Sequence, residues 1–266
     1  MVEFNSQDRA QDIAPQERRQ LIFEHVYKSG SAKIVDLAMR FNVSEMTIRR
    51  DIEVLEKKNL LMRTHGGVLY REGTIYDLGT AGQTVHLNEK VAIAKAAVGL
   101  IEPGDLLAFD ASTTGTELAR LLGGIDDLTV VTNSLSIANI VAPFLNVNLI
   151  LLGGNVRSKA LSTVGPLAEE FIEYFHFTKM FFSCNAVDPS TGLTDTNVAE
   201  AEMKKRMLQR AGQRILLADS SKIGMRALIS FWPMEDIDVF VTDNQMPVEA
   251  LQVIEDIGVK VFKANI

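Results

Sequence analysis

The spacing of apolar positions divides this chain at about residue 70. Upstream, apolar residues recur with helical period over residues 16–28, 34–40 and 44–58. Each run stops at a segment containing Gly or Asn: Ser29-Gly30, Phe41-Asn42 and Asn59. Two short β-like pieces, 60–64 and 68–70, flank His65-Gly66-Gly67. Residues 71–88 are polar, contain Gly73, Gly79 and Gly82, and show no period, which marks a linker. From Glu89 onward, short apolar runs (106–109, 129–132, 148–152, 180–183, 215–218 and 239–242) alternate with helical patterns. Strands separated by such helices build βαβ units, so an α/β body with a mostly parallel, doubly wound sheet is expected. The pattern predicts a flexible tail over residues 1–14, a helical head over 15–70, a linker over 71–88 and an α/β domain over 89–266.

At 266 residues one or two domains are expected, and 47% hydrophobic against 23% charged residues is the balance of a globular chain with a real core. A single cysteine, Cys184, excludes an internal disulfide framework and a multi-cysteine metal site. The polar stretch before Pro15 lacks the apolar segment of a secretory signal, and no apolar run is long enough to span a bilayer. A reduced, cytoplasmic protein with no membrane span is expected. The net charge of -7 argues by itself against nucleic acid, but it is unevenly spread. Ten Lys/Arg face seven Asp/Glu between residues 15 and 70, whereas the rest of the chain is acidic. A mildly basic head on an acidic body fits a DNA-binding protein, and it also fits an ordinary small-domain surface.

In the head, residues 34–40 can bury Ile34, Leu37 and Ala38 on one helical face. Phe41-Asn42-Val43 is a short turn, and Ser44 stands at an N-cap, where its hydroxyl can accept from the free N–H groups of the next helix. Ile48, Ile52 and Leu55 then face inward at i, i+4 and i+7, leaving Glu45, Thr47, Arg49 and Arg50 outside. A major groove admits one helix, and Arg suits both phosphate and the N7/O6 edge of guanine. A small helical domain with a solvated arginine pair also satisfies Arg49 and Arg50 taken alone.

The wider window is more specific. Glu17-Arg18-Arg19, Leu37-Ala38, Phe41-Asn42-Val43-Ser44, Thr47-Ile48-Arg49-Arg50-Asp51-Ile52, Leu55-Glu56 and Arg63-Thr64-His65-Gly66-Gly67 resemble the helix-turn-helix signature of the DeoR/GlpR family of bacterial transcriptional regulators. The resemblance continues, more loosely, through nearly the whole chain. It implies a winged helix-turn-helix whose second helix reads double-stranded operator DNA. Carried onto this chain, Thr47, Arg49 and Arg50 would contact DNA, with Glu45 and Met46 near base edges and Ser44 at the start of the same helix. Arg63 and His65 would set the wing on the backbone or minor groove. The residues themselves allow this, since Gly66-Gly67 permits a tight reversal and the flanking cations reach phosphate; a bare hairpin turn fits them equally.

In the body, Asp110-Ala111-Ser112-Thr113-Thr114-Gly115 follows one strand and precedes a helix expected over 116–122. Hydroxyls and free N–H groups at a strand end and helix start form an anion site. Similar loops are Thr132-Asn133-Ser134, Gly153-Gly154, residues 185–188 and Asp219-Ser220-Ser221-Lys222. The carboxyl ends of strands in an open parallel sheet converge on one crevice, so one pocket is expected. Each loop alone also reads as a helix cap or a turn. Lys222, a cation beside a Ser-rich loop, tips the sum toward a phosphorylated polyhydroxyl ligand.

These segments also resemble the effector domain of DeoR-type regulators, which is similar in fold to ribose-5-phosphate isomerase. The resemblance implies a phosphorylated-sugar effector held by Asp110, Ser112, Thr113, Thr114, Thr132, Asn133, Ser134, Gly153, Gly154, Asp188 and Lys222. Ser112 stands where the family more often has Gly, and Cys184-Asn185-Ala186-Val187-Asp188 replaces a Gly-Ile-Asp type of segment.

Isomerase chemistry needs a carboxylate base within reach of the transferred proton. Asp188, Glu200, Glu202 and Lys204 are the nearest candidates, but residues 198–207 read as an amphipathic helix with its charges on a solvated face, and no Lys-Gly-Gly-Gly loop is present. Cys184 is expected to be a buried small hydrophobe. His25, His65, His86 and His176 show no ligand-like spacing, so neither metal nor cofactor is expected. The expectation is a non-enzymatic repressor of a carbohydrate-utilisation operon. It would act as a homo-oligomer on repeated half-sites, because one small head buries little surface. An isomerase-type enzyme and a DNA binder whose body only oligomerises are the alternatives.

Overall fold

A computed structural model describes residues 13–29, 31–57, 61–64, 66–70 and 82–266. They belong to two compact units divided between Thr74 and Ile75. Of the expected tail, residues 1–12 lie outside the described residues, as do His65 and residues 71–81 of the expected linker.

The first unit runs α1 (Pro15–Ser29), β1 (Ser31–Lys33), α2 (Ile34–Phe41), α3 (Glu45–Lys57), β2 (Leu61–Arg63) and β3 (Gly67–Tyr70). Its core is built from Ile22 and Val26 of α1, Ile34, Leu37 and Phe41 of α2, and Ile48, Ile52 and Leu55 of α3. Ala38, expected inside, is only half-buried; Phe41 takes that place at the end of the same helical face. Asn42 closes α2 in the left-handed region (φ 49), which its short polar side chain tolerates, and Val43 N–H donates back to the Ala38 carbonyl at 3.1 Å. Ser44 then caps α3, its hydroxyl accepting from Thr47 N–H at 3.1 Å.

Sequence periodicity missed β1, which is too short to show an alternation. It is nevertheless one of the strands of the wing, an antiparallel sheet in the order β1-β3-β2. This explains Gly67 better than a turn does. A Cβ there would sit 2.7 Å from the Ala32 carbonyl oxygen, so the β1–β3 approach requires glycine.

The second unit runs α4 (Leu87–Ala97), β4 (Leu106–Phe109), α5 (Thr113–Ala119), β5 (Leu128–Thr132), α6 (Leu135–Val141), β6 (Val147–Leu151), β7 (Asn155–Arg157), β8 (Ser162–Val164) and α7 (Pro166–Ile172). It continues through β9 (Phe177–Phe182), β10 (Ala186–Asp188), β11 (Gly192–Asp195), α8 (Val198–Gln209), β12 (Ala211–Leu217), β13 (Ile229–Trp232), β14 (Val239–Asp243), α9 (Val248–Asp256) and β15 (Lys260–Ala264). Residues 82–88, assigned to the linker from sequence, pack here: Val85 is buried, the Lys90 ammonium donates to the Gly82 carbonyl, and Gln83 donates to Glu117 at 2.8 Å.

The main sheet has the order β15-β14-β12-β9-β4-β5-β6, with every neighbouring pair parallel. The chain begins at β4, moves out to β6, then returns to the other side of β4 and moves outward again. Strand order therefore reverses between β4 and β9, the topological switch point at which open parallel sheets in general place their ligand crevice. Two apolar clusters cover the two faces of the sheet. The β7–β8 hairpin and the small antiparallel sheet β10-β11-β13 were not visible in the sequence, because their short strands carry too many polar residues to show an apolar run.

One buried ion pair ties the first unit together. Asp51, on the inner side of α3, accepts from Arg18 Nε of α1 at 2.6 Å, and Arg19 Nε lies 3.8 Å away. The Arg18 and Asp51 side chains are only 10% and 6% exposed. Removing one partner strands the other charge in the core. Asp51→Ala is expected to cost the N-terminal unit about 3–5 kcal/mol, read as an early transition in urea denaturation of the whole chain; an unchanged unfolding curve would show that the pair contributes nothing.

Candidate functional site

Side chains on α3 sort by face as the spacing predicted. Ile48, Asp51, Ile52 and Leu55 are buried, while Glu45, Met46, Arg49 and Arg50 are exposed together on the opposite side. Thr47 is half-buried, with its hydroxyl 2.9 Å from that of Ser44. Arg49 is paired with Glu45 at 3.3 Å, an exposed i,i+4 contact that an incoming anion can replace at little cost. Among the described residues no ion pair holds Arg50. Arg63 is exposed, and its guanidinium also donates to the Arg49 carbonyl at 3.2 Å and lies 3.7 Å from Glu56. It thus fastens the wing to α3. The matching expectation for His65 falls outside the described residues.

In the α/β unit, Asp110 leaves the end of β4 directly at the strand-order reversal. One carboxylate oxygen accepts from Ser183 N–H, beyond the end of β9, and the other from Ser112 N–H, each at 3.2 Å. Lys204 of α8 lies 3.4 Å from Asp110 but 2.6 Å from Asp195, at the end of β11. Because the ammonium sits closer to Asp195, burial dominates at Asp110 and raises its pKa from the ordinary value despite Lys204 and the hydrogen bonds. Burial alone would lower the Lys204 pKa, but Asp195 and Asp110 together outweigh it and hold the ammonium above the ordinary lysine range.

Lys222 reaches across to the same seam and donates to the Ser183 hydroxyl at 2.9 Å and to the Cys184 carbonyl at 2.8 Å. Close by in electrostatic terms is Lys90 of α4, which the sequence reading missed. Its burial, with repulsion from Lys222, lowers its pKa from 10.5 to about 8. Asp219, after β12, is buried within electrostatic reach of both ammonium groups; burial opposes its ionisation, but Lys222, the Ser221 hydroxyl, His86 and Lys90 outweigh that and lower its pKa.

The other expected effector residues divide into those engaged in structure and those with polar atoms to offer. Ser112 and Ser134 cap α5 and α6, their hydroxyls accepting from Gly115 N–H at 3.1 Å and Ile137 N–H at 3.2 Å. The Ser112 cap starts α5 at Thr113, three residues before the position expected from the apolar pattern. Thr132 ties β5 to β4 through the Phe109 carbonyl at 2.9 Å. At Gly154 (φ +139) a Cβ would lie 2.8 Å from the Val164 carbonyl oxygen, so the β7–β8 hairpin demands glycine there; Gly153 has open space. Asp188 closes the β10–β11 turn through Ser190 and Thr191 and pairs with Arg226. The Ser190 hydroxyl, followed by Arg226, holds its carboxyl well below the usual range. Thr113 is half-buried at the first turn of α5. The Thr114 hydroxyl and the Asn133 side-chain oxygen are buried with no hydrogen-bond partner among the described residues.

The reading of residues 198–207 as a solvated charged face is corrected for two of its charges. Glu200 and Lys204 are buried. Glu200 accepts from Arg157 and from the Ser162 hydroxyl, both on the β7–β8 hairpin, while Lys204 pairs with the aspartates. Lys204 stands in line with Ala201, Met207 and Leu208 on the apolar stripe of α8, as Lys90 does with Ile93, Ala94 and Ala97 on α4. A lysine on an apolar stripe was the signal that could have found both. Cys184 is in the core, as expected, and burial pushes its thiol up to about 12. No helix among the described residues is long and apolar enough to cross a membrane.

Comparison with known proteins covers both units. The DeoR-like helix-turn-helix domain matches residues 18–74, and the DeoR C terminal sensor domain matches residues 85–244. An uncharacterised HTH-type transcriptional regulator of Bacillus subtilis (strain 168) is 39% identical over 92% of this chain and 95% of its own. A putative aga operon transcriptional repressor of Escherichia coli O157:H7 is 32% identical over 92% of this chain and 93% of its own. A solved D-ribose-5-phosphate isomerase in complex with phospho-erythronic acid is 21% identical, covering 50% of this chain and 52% of that chain with a TM-score of 0.38. With both domains matched in order and relatives aligned end to end, the chain belongs to the DeoR family of helix-turn-helix transcriptional regulators.

Proposed function

We propose that this regulator is a cytoplasmic repressor of a carbohydrate-utilisation operon, whose hold on double-stranded operator DNA is set by a phosphorylated sugar bound at the strand ends of the α/β unit. The relative named as an aga operon repressor supports the operon class. The observation that carries the ligand class is the Lys222 ammonium beyond the end of β9, held by the Ser183 hydroxyl and the Cys184 carbonyl with no ion-pair partner among the described residues and within electrostatic reach of the buried Lys90. Two repelling cations at a buried site favour a dianion, and the buried Thr114 and Asn133 oxygens are suited to sugar hydroxyls. The ligand acts by binding one arrangement of the protein better than another. Regulation is preferred to isomerase chemistry because Glu200 and Lys204 are each engaged in ion pairs. We also propose that the protein self-associates, so that two heads meet repeated half-sites.

Fluorescence anisotropy on DNA from immediately upstream of its own operon, at fixed salt and with a panel of sugar phosphates, tests the whole reading. Release by one phosphosugar supports it; turnover of a sugar phosphate without DNA would replace it with an enzyme.

Three further outcomes are expected. Arg49→Ala and Arg50→Ala should each weaken operator binding, by about 1–3 kcal/mol where the contact is bidentate to a base, and parental affinity in both would refute the role given to α3. Lys222→Ala should retain operator affinity but lose its response to the phosphosugar in the same assay.

The third concerns pH. Below about pH 8 Lys90 is charged whether folded or unfolded, and burying it costs stability. Between about 8 and 10.5 the folded state has released a proton that the unfolded state still holds, so stability rises with pH. The gain is about 3 kcal/mol in order of magnitude. Urea midpoints measured across this window should rise in the parent and flatten in Lys90→Met. A bound phosphate favours the charged form, so affinity for the sugar phosphate should fall above about pH 8.

A further inference from the structure

The exposed arginines of the first unit differ in what holds them. Arg49 has its i,i+4 contact with Glu45, on its own helix. Arg63, the last residue of β2, is engaged at three points, and all three lie on α3. Its guanidinium Nη2 donates to the Arg49 carbonyl at 3.2 Å, and its Nε lies 3.7 Å from Glu56 Oε2. Its backbone N–H donates to Glu56 Oε1 at 3.3 Å.

Arg49 and Glu56 stand about two helical turns apart and so share one side of α3. A single planar side chain bridging them ties the end of β2 to the backbone of a residue proposed to read DNA. The wing is fixed a second time beyond Arg63, since the Ile34 N–H at the start of α2 donates to the Gly66 carbonyl at 3.1 Å. Both helices of the helix-turn-helix therefore hold the wing. A DNA phosphate and this bridge compete for the same guanidinium. Turning outward would give up the Arg49 carbonyl and leave Glu56 as an uncompensated anion on the helix that meets a polyanion.

We infer that Arg63 is a positioning residue for operator binding and not a phosphate contact: by bridging the Arg49 carbonyl and Glu56 it sets the wing against α3 and steadies the backbone from which Arg49 reaches DNA. This rests on the role given to α3 above. The bridge needs arginine, because a rigid guanidinium plane serves a carbonyl and a carboxylate at once in fixed directions, whereas lysine is a point charge on a flexible stem. A phosphate, in contrast, accepts either cation.

The test titrates operator and an unrelated duplex with the full chain over a series of salt concentrations, using variants whose urea unfolding matches the parent. Arg63→Lys keeps the charge and should still bind operator roughly fivefold more weakly, the worth of one hydrogen bond, with affinity for the unrelated duplex unchanged. Arg63→Gln should show the same operator loss with the parent's salt slope. Because Arg63 acts through Arg49, Arg49→Ala should cost less in the Arg63→Lys background than in the parent. Parental operator affinity in Arg63→Lys overturns the inference, as do additive costs in that cycle. So does a salt slope that falls by about one in Arg63→Gln with equal weakening on both duplexes, which is the mark of a lost phosphate contact. Parental affinity in Arg49→Ala and Arg50→Ala is a different failure, because it removes the role of α3 itself.

Discussion

The Asp110 carboxylate is buried at the one place where the sheet's strand order reverses, and much of the α/β unit is arranged around making that tolerable. A carboxylate with no access to water must be met by donors. Here they come from three separate parts of the chain: Ser112 after β4, Ser183 after β9, and Lys204 from α8. Meeting that requirement fixes how β4, β9 and α8 sit together. It also places Lys204 against Asp195 and so ties the small sheet β10-β11-β13 to the main one. The strand ends at the reversal are therefore lined by groups that already hold the fold.

Lys90 and Lys222 differ from this network in donating to neutral oxygens and forming no close ion pair among the described residues. Lys204 has two aspartates close by, whereas Asp219 is shared between the two other ammonium groups. The low Lys90 pKa is first the trace of its burial and only second of repulsion from Lys222. The head repeats the logic on a smaller scale. Arg18 and Asp51 neutralise each other inside, which orients α3 so that Arg49 and Arg50 are left outside.

Much of this was legible in advance. The three helices of the head, the Ser44 cap, the parallel strands and the loops at their carboxyl ends all followed from periodicity and turn chemistry. Local errors had local causes: the Ser112 cap starts α5 early, and β1 is too short to alternate. The larger error was to treat the Glu200 and Lys204 charges of α8 as solvated. Their i,i+4 spacing is also that of a surface salt bridge, and only their partners distinguish the two cases.

The sequence by itself determined where the three helices of the head and the parallel strands of the main sheet run, because those depend on neighbours within a turn or two. It determined the family for the same reason, since the signature is a dense local run of residues. What only the tertiary structure decided is which polar side chains turn inward and which glycines are steric necessities. Asp51 is neutralised by a residue 33 positions away, and Lys222 is held by one 39 positions away. Gly67 is required by the backbone of β1, not by its own turn. A charge or a close approach is settled by whatever the fold brings alongside it, and that contact has no period along the chain.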